Sequence, residues 1–192
     1  MSLATFSASV RASARGIWLG EMDALGAADA LFSAIGRGFE QAFTEGQKDC
    51  GILASERTEE ESKELARLIG DNYQYVGRFV EWIVQHSKEN GGNWEMIKAR
   101  TDLWSGRYEE VKNIAISLSC GNKKLLWQID GGEHCRSCLK LNGRVHRSSV
   151  WAAHDIAPRM ITHSLKCGGY NCKCFWVETD APATRGRFPK LP

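Results

Sequence analysis

The chain has 192 residues, 43% hydrophobic and 25% charged, with four prolines. That is enough length for one domain or two small ones, and the composition excludes a largely disordered, collagenous or mucin-like chain. The net charge of +2 hides an asymmetry: residues 1–119 hold 13 Lys+Arg against 18 Asp+Glu, net −5, while residues 120–192 hold 12 against 5, net +7. Five of the seven cysteines lie between Cys135 and Cys174 in the basic part, so charge and cysteine together mark off two regions with different jobs.

In chain order, residues 1–20 contain Arg11 and Arg15, many Ser and Ala, and no acid. They superficially match an organellar transit peptide, but a flexible N-terminal arm is the preferred reading. No run of 18 apolar residues occurs, which excludes a membrane-spanning helix and points to a soluble chain. Residues 21–122 read as a three-helix body. The first helix, over 22–47, spaces Leu25, Phe32, Ile35, Phe39, Ala42 and Phe43 along one face, weakened by Gly36 and Gly38. The second starts at a capping box, Thr58 with Glu61, with Glu59 and Glu60 in the first turn. It carries the stripe Leu65, Leu68, Ile69, Val76, Phe79, Val80, Ile83 and Val84, and stops at Asn90-Gly91-Gly92. The third runs from the cap Asn93 to about Ser119, with Ile97, Trp104, Tyr108, Val111, Ala115 and Leu118 inward and Cys120-Gly121-Asn122 closing it. A bundle core accounts for its aromatic residues without a cofactor.

After Asn122 the periodicity shortens. Residues 123–130 and 175–177 read as strands, with a turn at Gly131-Gly132. Residues 123–180 therefore form a small β-rich, cysteine-rich module, and 181–192 an extended basic tail that stays disordered unless it binds something. The expected class is α+β.

The chemistry concentrates in Cys135-Arg136-Ser137-Cys138 and Cys167-Gly168-Gly169-Tyr170-Asn171-Cys172-Lys173-Cys174. A CxxC loop grips one face of a tetrahedral ion and a second cluster completes the other, so this is a zinc-knuckle pattern with one structural Zn2+ per chain. The first-choice ligands are Cys135, Cys138, Cys167 and Cys172, with Cys174 as a substitute; His134, His146, His154 and His163 leave the set open. Without a secretory signal, metal is preferred to a disulfide framework. A redox CxxC is the weaker reading because no βαβ unit surrounds it, and catalytic zinc is disfavoured because four cysteines leave no open position. Cys50 and Cys120 stand alone and read as buried free thiols. Arg136, Lys140, Arg144, Arg147, Lys166 and Lys173, interleaved with Trp151, Tyr170 and Trp176, form a candidate surface for nucleic acid or an acidic partner. No nucleotide-hydrolase or common hydrolase motif is present.

The strings Trp127-Gln-Ile-Asp130, Cys135-x-x-Cys138-x-x-Leu141-Asn142-Gly143-Arg144-Val145 and Asn171-Cys172-Lys173-Cys174, with Ala99-Arg100-Thr101-Asp102 upstream, resemble the phage head morphogenesis (minor head) proteins of the Mu gpF-like type over roughly residues 20–178. Cys135, Cys138, Cys172 and Cys174 match that family's knuckle and terminal pair. Arg136 replaces its proline, and Cys167-Gly168-Gly169-Tyr170 replaces its His-Pro. The resemblance implies a non-enzymatic minor structural protein of a tailed-phage virion, assembled in the host cytoplasm and present in multiple copies. It would work beside portal or major capsid proteins in head morphogenesis, DNA packaging or ejection, with DNA a further partner. The alternative is a zinc-dependent nucleic-acid-binding protein that uses the basic module.

Overall fold

A computed structural model of the chain describes residues 1–121, 123–160, 162–170 and 172–191. Asn122, the expected closing residue of the third helix, and Asn171 of the Asn-Cys pair lie outside the described residues. The class is α+β: long helices come first, then a three-stranded antiparallel sheet with short helices and a cysteine cluster. The chain divides into two compact units, one of Met1–Ala42 with Ser62–Tyr108, the other of Phe43–Glu61 with Glu109–Pro192. Among the described residues, no helix is long and apolar enough to cross a membrane.

The first unit contains helix α1 (Leu3–Leu19) and most of α2 (Ala24–Asp49), α3 (Glu59–Gln85) and α4 (Trp94–Ser119). The three expected helices are α2 to α4. The expected arm is instead a helix that packs. Ser2 caps α1 by accepting the Thr5 amide at 3.3 Å, and Gly20, at φ +74°, closes it. Phe6, Val10, Ala14 and Ile17, spaced at three and four residues, are buried. The Phe6 ring lies 6.1 Å from Phe39 and 5.6 Å from Tyr108, and it reaches α2 where Gly38 offers no side chain. On the outer face Arg11 binds Asp102 at 2.6 Å. In this unit α3 buries Leu65, Leu68, Val76, Phe79, Val80 and Ile83. Leu25 and Val84, expected on buried stripes, are instead exposed, Leu25 by 74%.

The second unit begins with the end of α2. Gly46 faces α4 so closely that a Cβ there would sit 2.7 Å from Ala115 Cβ. The α3 cap belongs here and follows the capping-box pattern: Thr58 N donates to Glu61 Oε2 at 2.8 Å and Glu61 N to Thr58 Oγ1 at 3.2 Å. Glu61 is buried and also accepts from Ser119 Oγ and from Gln47 Nε2 at 3.3 Å. Cys50 and Cys120 are not free thiols; they form a disulfide across 70 residues with Cα atoms 4.9 Å apart, joining the ends of α2 and α4. Each directly follows its helix and precedes a left-handed glycine, Gly51 and Gly121. This geometry is invisible to an argument from isolated cysteines. Leu118, expected inward, is exposed.

The sheet has order β2-β1-β3, with β1 (Lys124–Ile129) central, β2 (Val145–Arg147) and β3 (Cys174–Glu178) at its edges. Trp127 pairs with Trp176 and Leu126 with Val145. Between the strands lie α5 (Arg136–Leu141) and α6 (Ser148–Ala153), both too short to show a helical period. Leu125, Trp127, Cys138, Leu141, Trp151, Ile156, Leu165 and Cys174 make the core. Residues 181–191 form no helix or strand and dock on their own module. Thr184 exchanges hydrogen bonds with Val145 on β2, Lys140 Nζ donates to the Lys190 carbonyl at 3.0 Å, and Phe188 stacks on His154 at 3.8 Å and packs edge-on to Trp151.

Candidate metal centre

Three short segments build the centre. Cys135 precedes α5 with extended backbone, and its Sγ accepts the Cys138 amide at 3.5 Å, so the first turn of α5 sets the two sulfurs 3.4 Å apart. The second segment is a tight reversal. Gly168 and Gly169 take φ of +59° and +81°, a conformation costly for residues with a Cβ. Gly168 N bonds Leu165 O at 2.8 Å and Tyr170 N bonds Cys167 O at 3.1 Å. That reversal carries Cys167 and Cys172 back to Cys138, at Sγ separations of 4.0 and 3.8 Å. The third segment is β3, whose pairing with Ile129 fixes Cys174.

The sulfurs form two overlapping groups, Cys135-Cys138-Cys167 and Cys138-Cys172-Cys174, each with all members within 4.8 Å. Cys138 belongs to both. With a Zn–S bond of about 2.3 Å, the edge of a ZnS4 tetrahedron is about 3.8 Å. The observed 3.4, 3.8 and 4.0 Å separations straddle that edge, so the five cysteines can hold a metal ion. Cys135, Cys138, Cys167 and Cys172 line an open hollow of about 320 Å³ with Glu133, His134, Tyr170 and Lys173. Cys174 is not on that lining; it is fully buried among Trp127, Trp151 and Leu125.

The thiols perturb one another. Hydrogen bonds from Cys138 first, then from Cys167 and Cys174, hold the Cys172 thiol well below its ordinary value despite burial. Bonding to Cys167, then to Cys172 and Cys174, pushes Cys138 up. Cys174 is pushed up to about 12: the Cys138 hydrogen bond pulls it down, but Cys172 and burial outweigh that. With the Cys135 and Cys172 thiols both held below their ordinary value, the cluster is suited to exchanging its protons for a cation.

The other named residues divide. Among the described residues no histidine joins the cysteine groups. His134 lines the hollow, with Nε2 donating to the Asp130 carbonyl. His146 is buried between Trp151 and Phe188, and burial, with Arg144 and His154 nearby, lowers its pKa; His154 stacks on Phe188 and His163 is exposed. Arg136, Lys166 and Lys173 are exposed, each adjacent in sequence to a cysteine of the cluster. Lys140 and Arg147 are exposed and Arg144 half-buried, on α5, β2 and the turn between them; Lys140 holds the tail and Arg144 Nε bonds the Lys140 carbonyl at 2.9 Å. Trp151, expected among stacking aromatics, is fully buried with Nε1 bonded to Leu125 O at 3.2 Å, so it offers no face to a base. Tyr170 is exposed beside the cysteines. Sequence reasoning passed over Glu133, which also faces the hollow and whose only signal was its place two residues before Cys135. Comparison with family models, with curated proteins and with solved structures finds no match to this chain.

Proposed function

We propose that this chain is a non-enzymatic minor structural protein of a tailed-phage head, whose C-terminal module is stapled by one structural zinc ion held by cysteine thiolates. The observation that carries the metal reading is the spacing of the sulfurs around Cys138, at the edge length of a ZnS4 tetrahedron. Zinc would supply cross-linking between the Cys135–Cys138 turn of α5 and the glycine reversal that carries Cys167 and Cys172, two segments about thirty residues apart in a small module. The virion assignment is supported by the knuckle, the terminal Cys-Lys-Cys and the Ala99–Asp102 stretch described above.

Two measurements test the reading. Purified protein should contain one zinc per chain, and a metal-free protein with oxidised cluster cysteines refutes the staple. Genes for a portal and a coat protein should lie beside its own, and the chain co-expressed with their products should sediment with assembled heads; the absence of such genes, or of the chain from the heads, refutes the head assignment. The second reading, a zinc-dependent nucleic-acid binder, is favoured by the exposed Arg136, Lys166 and Lys173 beside the cysteines. It predicts DNA affinity that falls steeply with salt and discriminates between sequences.

A further inference from the structure

The helical unit carries a feature that the metal reading does not use. Between α3 and α4 lies a hollow of about 290 Å³. Its floor is Phe79 and Trp104, whose rings are 6.0 Å apart and largely buried. Tyr75 and Leu103, 47% and 49% exposed, stand at its mouth. Arg78, Arg100 and Arg107 also line it, and no carboxylate does. Arg100 belongs to the Ala99–Asp102 stretch: Thr101 is buried, Asp102 holds Arg11, and Arg100 lies 3.9 Å over the face of Trp82. That stacking fixes the guanidinium plane and leaves its edge N–H donors for another group. Among the described residues, neither Arg78 nor Arg100 has a carboxylate within ion-pair distance.

We propose that this hollow is a docking site for an acidic segment of a partner protein, seated by one large apolar side chain on Phe79 and Trp104 with flanking carboxylates on Arg78 and Arg100. Three points select that occupant. The volume falls just short of the roughly 300 Å³ at which pockets for drug-sized molecules begin, but it admits one side chain. Tyr, Trp and Arg around a desolvated centre are the residues that dominate protein interfaces. Finally, the two guanidiniums of Arg78 and Arg100, grouped within a chain region of net charge −5, favour a negative partner locally and disfavour a second copy of the same acidic body.

The test uses the full-length, 15N-labelled protein and a synthetic acetylated, amidated peptide of one Phe flanked by three Glu on each side. Saturable shifts of the α3 and α4 amides, with a Kd below about 1 mM, are expected. The R78A/R100A double variant, whose side chains are exposed and whose folding is checked by circular dichroism, should weaken binding about tenfold or more. Replacing the peptide Phe by Ala should weaken it about fivefold or more. The proposal is overturned by no saturable shift up to about 2 mM, by equal binding to the double variant, or by equal binding of the Ala peptide, which would reduce the effect to bulk charge. A concentration-dependent dimer that broadens the same amides without peptide also overturns it, in favour of a second copy.

Discussion

The most direct test of the helical unit is the meeting of Gly38 with Phe6. A Cβ built on Gly38 would lie 2.8 Å from Phe6 Cε2 and closer still to Cδ2, while the ring itself is fully buried between Phe39 and Tyr108. The enclosed ring must shift to make room, so Gly38→Ala overpacks the core at about 1–3 kcal/mol. The same change gains about 1 kcal/mol of helix propensity. The net expectation is a loss of about 1 kcal/mol. Phe6→Ala alone removes a buried aromatic and should cost about 3–5 kcal/mol. In that background the obstruction is gone, so Gly38→Ala should become stabilising by up to about 1 kcal/mol, giving a coupling energy near 2 kcal/mol. Urea unfolding of the four proteins in the cycle measures it. Additivity within about 0.5 kcal/mol would refute the packing of α1 against α2, and with it the claim that residues 3–19 are part of the core.

Other expectations follow from the second unit. Cys138→Ser, which breaks both sulfur groups, should abolish zinc binding, whereas Cys174→Ser should keep one zinc per chain because the other four sulfurs line the hollow; metal analysis giving the reverse pattern refutes that division. Replacing Cys50 and Cys120 together by Ala should lower stability by about 4 kcal/mol, the loop-entropy value for a 70-residue closure, read from denaturation midpoints. Glu61 responds to acid in a defined direction. Burial raises its pKa, but hydrogen bonds from Ser119, Thr58 and Gln47 outweigh this and hold it below the ordinary 4.5. Its contribution is therefore present above the unfolded-state value and lost as pH falls through the folded one. Glu61→Gln should destabilise by about 1–2 kcal/mol at pH 7, and the difference from the parent should shrink in acid; a pH-independent difference contradicts the assignment.

How much of this was legible depends on the range of the interaction concerned. The α3 start was readable because Thr58 and Glu61 satisfy each other's backbone within one turn. The cysteine centre was readable because the CxxC and the glycine pair impose their geometry over a few residues. Helix α1 was misread because small residues and arginines mask its period, although Phe6, Val10, Ala14 and Ile17 and the stop at Gly20 were all present. The disulfide was out of reach, since only the finished packing of the ends of α2 and α4 brings Cys50 to Cys120. Trp151 was misassigned for a related reason: it falls within a basic stretch of the sequence, four residues after Arg147, but its neighbours in space are Trp127, Trp176 and Phe188. Strand β2, with three residues, and the docking of the tail on it depend on an edge that β1 alone creates.

The Cys50–Cys120 bond also matters if the chain bears load. A pull applied to its two ends passes through that bond and bypasses the residues between, which include the whole of α3 and of α4. At roughly 3.4 Å per extended residue, the bypassed loop stores about 240 Å of hidden length. While the bond is intact, stretching releases only the flanking segments. Once it is reduced, the same force can draw out the loop, so the redox state of one cysteine pair sets how far the protein yields under tension.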